Sequence, residues 1–288
     1  MWWIFAVSSA FTQVIRNVIM KNLGHKLDEH INVWGRFTFL LPFALGMSYF
    51  KGFPELGNNF WIFSILSGTT VAIMTMFLSR AFKLSDMSIS IALWKINVIF
   101  LMFFGVLFLD EQITYLGIIG ILIAFCGVYF LNIQKARVSI FEPLKMLFRD
   151  KGLFSALISG FLLAVTSIFW KNTIILSDIY FPTFANFFFA SCITTVIAIL
   201  KSRKNFKIIP QYKFQFILMG FLAFITNLAS NASYSLTNPA YTEAVKQVEI
   251  IFASLAGMIF FGEHKRVREI WPGVLMIIGG ILIVILYK

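Results

Sequence analysis

Phe100-Leu101-Met102-Phe103-Phe104-Gly105-Val106-Leu107-Phe108-Leu109-Asp110-Glu111 returns 152 residues later as Phe252-Ala253-Ser254-Leu255-Ala256-Gly257-Met258-Ile259-Phe260-Phe261-Gly262-Glu263. Phe, Gly, Phe and Glu fall in register, and Gly127 and Gly279 extend the match. Nearer the start, Ser9, Phe11, Lys21 and Asn22 return as Ser159, Phe161, Lys171 and Asn172 at an offset of 150. A drift of two residues is what a change in loop length produces. A repeat of this kind constrains architecture before any local reading does.

Both copies are built of membrane-length apolar blocks. The chain has 288 residues, of which 59% are hydrophobic and 13% charged, with a mean hydropathy of +0.84. A soluble domain carries roughly 25% charged residues. The blocks are about 20 residues long, enough to cross a hydrocarbon core of about 30 Å as helix; a β-barrel would show short alternating segments instead. Ten spans are expected, at 2–21, 32–50, 60–81, 88–109, 113–132, 153–174, 180–200, 213–235, 240–261 and 270–287. The fold class is therefore an all-α integral membrane protein with ten transmembrane helices in two five-helix repeats, 1–133 and 152–288, joined by a basic linker, 134–151. Five spans per copy is an odd number, so the second copy enters the membrane inverted. Such inverted repeats are a transporter design, with the solute held near the midplane between the halves.

The first span lacks the basic flank and cleavage site of a signal peptide, and span 6 is its counterpart. The two cysteines, Cys126 and Cys192, fall inside spans and imply no disulfide framework. His25, His30 and His264 have no metal-ligand spacing. Neither a metal nor any other cofactor is expected.

The net charge of +11 does not point to nucleic acid, because the basic residues divide by side of the membrane. One set of loops carries 17 of the 24 Lys and Arg residues, Lys21, Arg80, Lys151 and Lys207 among them. The other set has three, Lys51, Lys171 and Lys288. The positive-inside rule makes the rich side cytoplasmic and places both termini outside, in the inner (plasma) membrane of a bacterium. Within the linker, Phe141 to Phe148 has the pattern of a segment lying on the inner leaflet, with Lys145 and Arg149 towards anionic lipid.

The remaining four basic residues lie inside spans, where charge is expensive and usually functional. They are Arg16, Arg36, Lys95 and Lys246. Ser9, Thr12, Gln13 and Arg16 share one face of span 1. Arg36 lies in span 2 beside Trp34. Span 4 has Trp94, Lys95 and Asn97, and span 8 has Asn227, Ser230, Asn231 and Tyr234 on one face. Span 9 is the most polar, with Thr242, Glu243, Lys246, Gln247 and Glu249. Lys246 stands three residues from each glutamate, within reach of ion pairs along the helix. Spans 5 and 10 carry no interior charge but several glycines, which suits packing or lipid-facing helices. A polar cavity is thus expected chiefly from spans 1, 2, 4, 8 and 9. No phosphate-binding loop, nucleophile triad or Cys/His cluster occurs, so neither catalysis nor ATP-driven pumping is expected.

With these residues in hand, the chain resembles the drug/metabolite transporter superfamily, in particular its EamA-type ten-helix members. The resemblance rests on the closing turns of the fourth and ninth spans, Phe108 to Thr114 and Phe260 to Glu263, each followed by a glycine-bearing helix. Ser79-Arg80-Ala81-Phe82 before span 4 adds to it. The resemblance implies inverted five-helix repeats, a cavity from helices 1–4 and 6–9, peripheral helices 5 and 10, and secondary transport of small metabolites. It implies a capping role for Glu111 and Glu263. Two features depart from it. Proline is usual in the middle of spans 4 and 9, where this chain has Lys95-Ile96-Asn97-Val98 and Gln247-Val248-Glu249-Ile250. Family members also keep both termini in the cytoplasm, against the charge count here.

Four interior cations against two carboxylates favour an anionic or zwitterionic solute, such as an amino acid or a nucleotide-like compound. Arg or Lys would hold its carboxylate or phosphate; Glu249 would hold an amine; Trp94 or Trp34 would stack on an aromatic part. Transport by alternating access is expected, coupled to a proton, a sodium ion or exchange, with membrane lipid as the other partner. A multidrug exporter of lipophilic cations and a lipid-phosphate flippase are the alternatives.

Overall fold

In lipid every backbone N–H and C=O must be satisfied within the protein, so apolar blocks of this kind fold as helices. The computed structural model describes residues 1–110, 112–130, 150–262 and 267–287, and those in regular structure are helical, with no strand among the described residues. The helices are α1 Trp2–Gly24, α2 Glu29–Thr38, α3 Leu41–Lys51, α4 Phe60–Leu84, α5 Met87–Trp94, α6 Asn97–Leu109 and α7 Tyr115–Phe130. Then follow α8 Lys151–Ile175, α9 Phe181–Ser202, a 3₁₀ segment Arg203–Tyr212, α10 Lys213–Leu236, α11 Pro239–Val245, α12 Val248–Phe261 and α13 Val267–Leu286. Five helical stretches are long and apolar enough to cross a bilayer: Trp2–Gly24, Phe60–Leu84, Lys151–Ile175, Phe181–Leu236 and Pro239–Phe261. This is a multi-pass integral membrane protein.

Helix ends follow the local sequence. Asp28 caps α2 by accepting from the His30 N–H at 2.9 Å. Asp150 caps α8 by accepting from the Gly152 and Leu153 N–H groups, which satisfies orphan donors of the first turn. At the other ends, Asp110 (φ 50°) stops α6 and Gly262 (φ 70°) stops α12. They are 152 residues apart, and each takes the left-handed conformation that terminates a helix. Aspartate tolerates that conformation better than most residues. The expected capping residues Glu111 and Glu263 and the linker segment Phe141–Phe148 lie outside the described residues.

The expected span at 32–50 is two helices. Its ladder tightens at Phe39-Leu40, where Leu40 N–H bonds Phe37 O at 3.3 Å, just before Pro42, which has no N–H to continue the pattern. Lys21 and Lys171, counted above with the loops, lie within α1 and α8. Lys21 is buried with its ammonium 4.5 Å from the Phe261 ring centre. Lys171 donates to the Tyr234 and Thr237 carbonyls at the end of α10, where a cation complements the helix terminus.

The main packing contacts join the two copies. They pair α1 with α10, α4 with α8, α2 with α9, and α7 with α13. A shift of about 150 residues exchanges α1 with α8 and α4 with α10, so the first two pairings are one contact made twice. The match extends to single residues. A Cβ on Gly68 would stand 2.6 Å from Asn186 O and 2.7 Å from Phe189 Cβ, and one on Gly220 would stand 2.4 Å from Phe39 O. The pairs 68/220 and 39/189 are related by the repeat offsets. In each case the missing side chain lets two helix backbones meet, a common arrangement in membrane packing. Large apolar side chains such as Phe103, Leu107, Phe108 and Leu275 point outward.

Candidate solute-binding cavity

Two helices break, one in each sequence repeat. Between α5 and α6, Lys95 has φ −73° and ψ 0°; between α11 and α12, Lys246 has φ −63° and ψ −7°. Such ψ values tighten the helix towards 3₁₀ geometry. Accordingly Ile96 N–H bonds Leu93 O at 3.2 Å, and Gln247 N–H bonds Ala244 O at 3.2 Å. Neither break contains a proline, so the departure from the family pattern changes the residues at the break without removing it. A Cβ on Gly160 of α8 would lie 2.7 Å from Trp94 O; glycine there admits the broken segment.

Each break carries a lysine, and the two lysines meet at one glutamate, Glu243. Lys95 Nζ lies 2.9 Å from Glu249 Oε2 and 3.3 Å from Glu243 Oε2. Lys246 Nζ lies 2.6 Å from Glu243 Oε1. Asn97 Nδ2 donates to Glu243 Oε2 at 3.3 Å, and Tyr234 OH to Glu243 Oε1 at 3.1 Å. Glu249 also accepts from Gln13 Nε2 at 2.7 Å and Asn17 Nδ2 at 3.1 Å. All four carboxylate oxygens are therefore engaged. Lys246 further donates to Ser230 at 3.3 Å, and Lys95 lies 5.2 Å from the Trp94 ring centre, a cation–π distance. The Glu243–Lys246 pair expected from spacing is present. Glu249 pairs with Lys95 across the halves instead of with Lys246.

Arg16 and Arg36 differ. Both are buried, at 1% and 3% exposure, yet no described carboxylate lies within ion-pair distance of either. Arg16 Nη2 donates to Asn17 Oδ1 at 3.1 Å, and Arg36 Nη1 to Thr75 Oγ1 at 3.2 Å. The Nε of each has no hydrogen-bond partner among the described residues. Burying a charge without a counter-charge is costly, so two such groups at one place need a reason.

The place is a cavity. Arg16, Arg36, Trp94, Asn227, Glu243 and Lys246 line it, all expected from sequence, together with Gln13, Val71, Met74, Leu163, Thr166, Ser167, Trp170, Phe187, Ser230 and Tyr234. The space open to the centre of a water molecule is about 60 Å³. One water needs roughly 10–15 Å³ by that measure, so there is room for several waters or a small polar group. α4, α8 and α9 contribute lining that the polarity of their sequences did not suggest.

Other expected residues have other duties. Lys95, Asn97 and Glu249 sit behind the cavity wall in the ion network. Asn231 accepts from Trp170 Nε1 at 2.7 Å and donates to Ile179 O at 2.8 Å and Thr183 Oγ1 at 3.0 Å; it ties α8, α9 and α10 together. Asn227 Nδ2 is occupied by Ala223 O at 2.7 Å. Gln247 is buried, with both amide atoms unpartnered among the described residues, and does not line the cavity. Trp34 is no stacking partner: it donates to Thr195 at 3.0 Å and packs edgewise on Phe39 and Phe206. Sequence reasoning missed Asn17 and Thr75, the uncharged residues that hold the two arginines. Asn17 directly follows Arg16, a signal that was present.

Against known families, residues 1–133 and 150–286 match the model of the EamA-like transporter family. A solved structure titled only "Crystal structure of protein" superposes with a TM-score of 0.69, covering 98% of this chain and 96% of its own at 12% identity. At that identity the likeness shows the fold alone. No curated protein matches the chain significantly.

Proposed function

This chain belongs to the EamA-like transporter family, and on that footing we propose that it carries a small anionic or zwitterionic metabolite across the membrane by alternating access. The two halves, 1–133 and 152–288, act as inverted five-helix repeats making ten crossings, with the broken helices hinging beside the cavity. The paired contacts between α1 and α10 and between α4 and α8 support that symmetry. The loop charges support cytoplasmic loops on the basic side and both termini outside. A proton, a sodium ion or a counter-solute would drive the cycle.

One observation carries the solute class: two buried guanidiniums line the cavity with no described carboxylate within ion-pair distance of either. A lipophilic cation would meet net positive charge, and both glutamates are already engaged by lysine. The reading is tested by thermal shift of the purified protein with glycine, succinate, nucleoside monophosphates, tetraphenylphosphonium and a short-chain phosphatidate. A ligand that binds only the folded form raises its Tm. A rise with a soluble anion or zwitterion is expected. A rise with tetraphenylphosphonium alone would overturn the reading in favour of cation export, and one with phosphatidate alone in favour of lipid flipping.

A further inference from the structure

We infer that the cavity receives a doubly charged oxyanion group, a phosphate monoester or paired carboxylates, and offers a substrate ammonium no unengaged carboxylate among the described residues. This rests on the anion-transport reading and narrows it. The argument begins with charge. Lys95 and Lys246 are matched by Glu243 and Glu249 at 2.6–3.3 Å, and that group is neutral. Arg16 and Arg36 leave two positive charges over. A solute with a single negative charge would compensate one of them; a dianion compensates both.

Hydrogen-bond capacity points the same way. Among the described cavity-lining side chains, the buried polar atoms without a partner are Arg16 Nε, Arg36 Nε and Trp94 Nε1. Each of these is a donor. A carboxylate or phosphate is acceptor-only, and the guanidinium forks of Arg16 and Arg36 suit both groups. An ammonium is held best by a carboxylate, and Glu243, the lining carboxylate, already accepts from Lys246, Lys95, Asn97 and Tyr234; the amide oxygens of Gln13 and Asn227 that also line the cavity carry no counter-charge. Glu249, expected to hold a substrate amine, likewise already accepts from Lys95, Gln13 and Asn17. Space for a few waters' volume suits a compact charged head.

The test uses small probes in detergent at fixed ionic strength: sulfate for the dianion, acetate for the monoanion, glycine for the zwitterion and methylammonium for the cation. Tm is followed against concentration. Sulfate is expected to act at about tenfold lower concentration than acetate, as one extra charge-assisted hydrogen-bonded contact gives. Arg36→Gln should bring the two together, and Arg36→Lys should retain part of the preference. Acetate or glycine acting as well as sulfate, or sulfate leaving Tm unchanged, would overturn the dianion assignment and leave a monoanionic or zwitterionic solute standing. Methylammonium as the only stabiliser would overturn the anion-transport reading with it. Succinate and glycerol phosphate, run next, distinguish paired carboxylates from a phosphate ester.

Discussion

The lysine–glutamate cluster and the arginine pair lie beside one another in the membrane interior, and both are buried, but they handle charge oppositely. Lys95, Lys246, Glu243 and Glu249 exchange charge within 2.6–3.3 Å and bind one broken helix to the other. Arg16 and Arg36 are held by the neutral groups Asn17 and Thr75. A matched cluster has little to offer a solute, because its attractions are already used. An unmatched pair keeps its attraction for something that arrives. Charge in a membrane span therefore divides into charge that assembles the halves and charge that awaits a ligand, and partner distances separate the two.

The largest effect is expected from Lys95→Met. It removes the cationic partner of Glu249 and one of the two of Glu243, leaving carboxylate charge buried. Breaking a buried pair from one side costs roughly 3–5 kcal/mol, so the detergent-solubilised Tm should fall steeply, and Glu249→Gln added to it should restore much of the loss. An unchanged Tm in the single variant would break the comparison on its structural side. A smaller effect is expected from Asn17→Ala. Asn17 accepts from Arg16 and donates to Glu249, joining the two clusters. Its loss leaves a buried acceptor less satisfied, about 1–3 kcal/mol, and should also weaken the response to sulfate. Tm measured with and without sulfate checks both parts.

The smallest effect lies outside the membrane. Burial pushes the Asp28 carboxyl up, but hydrogen bonds from Ser202 and the His30 N–H, with the charges of His30 and Lys83, outweigh it and hold the group below its ordinary value. A depressed folded-state pKa stabilises above the ordinary carboxylate range, and that contribution disappears as pH falls through the folded value. Asp28 is partly exposed, so the contribution is under about 1 kcal/mol. An asparagine side chain also caps helices well, so Asp28→Asn should flatten the fall in Tm below about pH 4, near the ordinary carboxylate value, with little change at neutral pH. An identical acid profile in both proteins would remove Asp28 from the account.

Much of the fold was legible because lipid allows so few structures. The helices start and stop within a few residues of the apolar blocks, and the repeat anticipated which contacts recur. The break at Phe39-Leu40 escaped because a window average spans it, although Pro42 marked it. Within the site, spacing sees only neighbours on one helix. It found Glu243–Lys246 and could not find Lys95–Glu249, whose members lie 154 positions apart in sequence. Adjacency misled at Trp34: two residues along a helix is roughly 200° of rotation, so it faces away from Arg36. Asn17 and Thr75 were passed over because polarity without charge is a weak signal in a span. That four cations were present was plain; which two have no described carboxylate within ion-pair distance needed coordinates.

The most direct measurement compares ligand-free Tm and its sulfate-induced rise in Arg36→Gln and Lys95→Met. Removing an unmatched buried charge should leave the ligand-free Tm of Arg36→Gln unchanged or raised, with the sulfate response lost. Lys95→Met should show the reverse, a lowered ligand-free Tm with sulfate still stabilising whatever folds. A collapse of Arg36→Gln, with Lys95→Met stable but blind to sulfate, would contradict the division of roles between the two clusters.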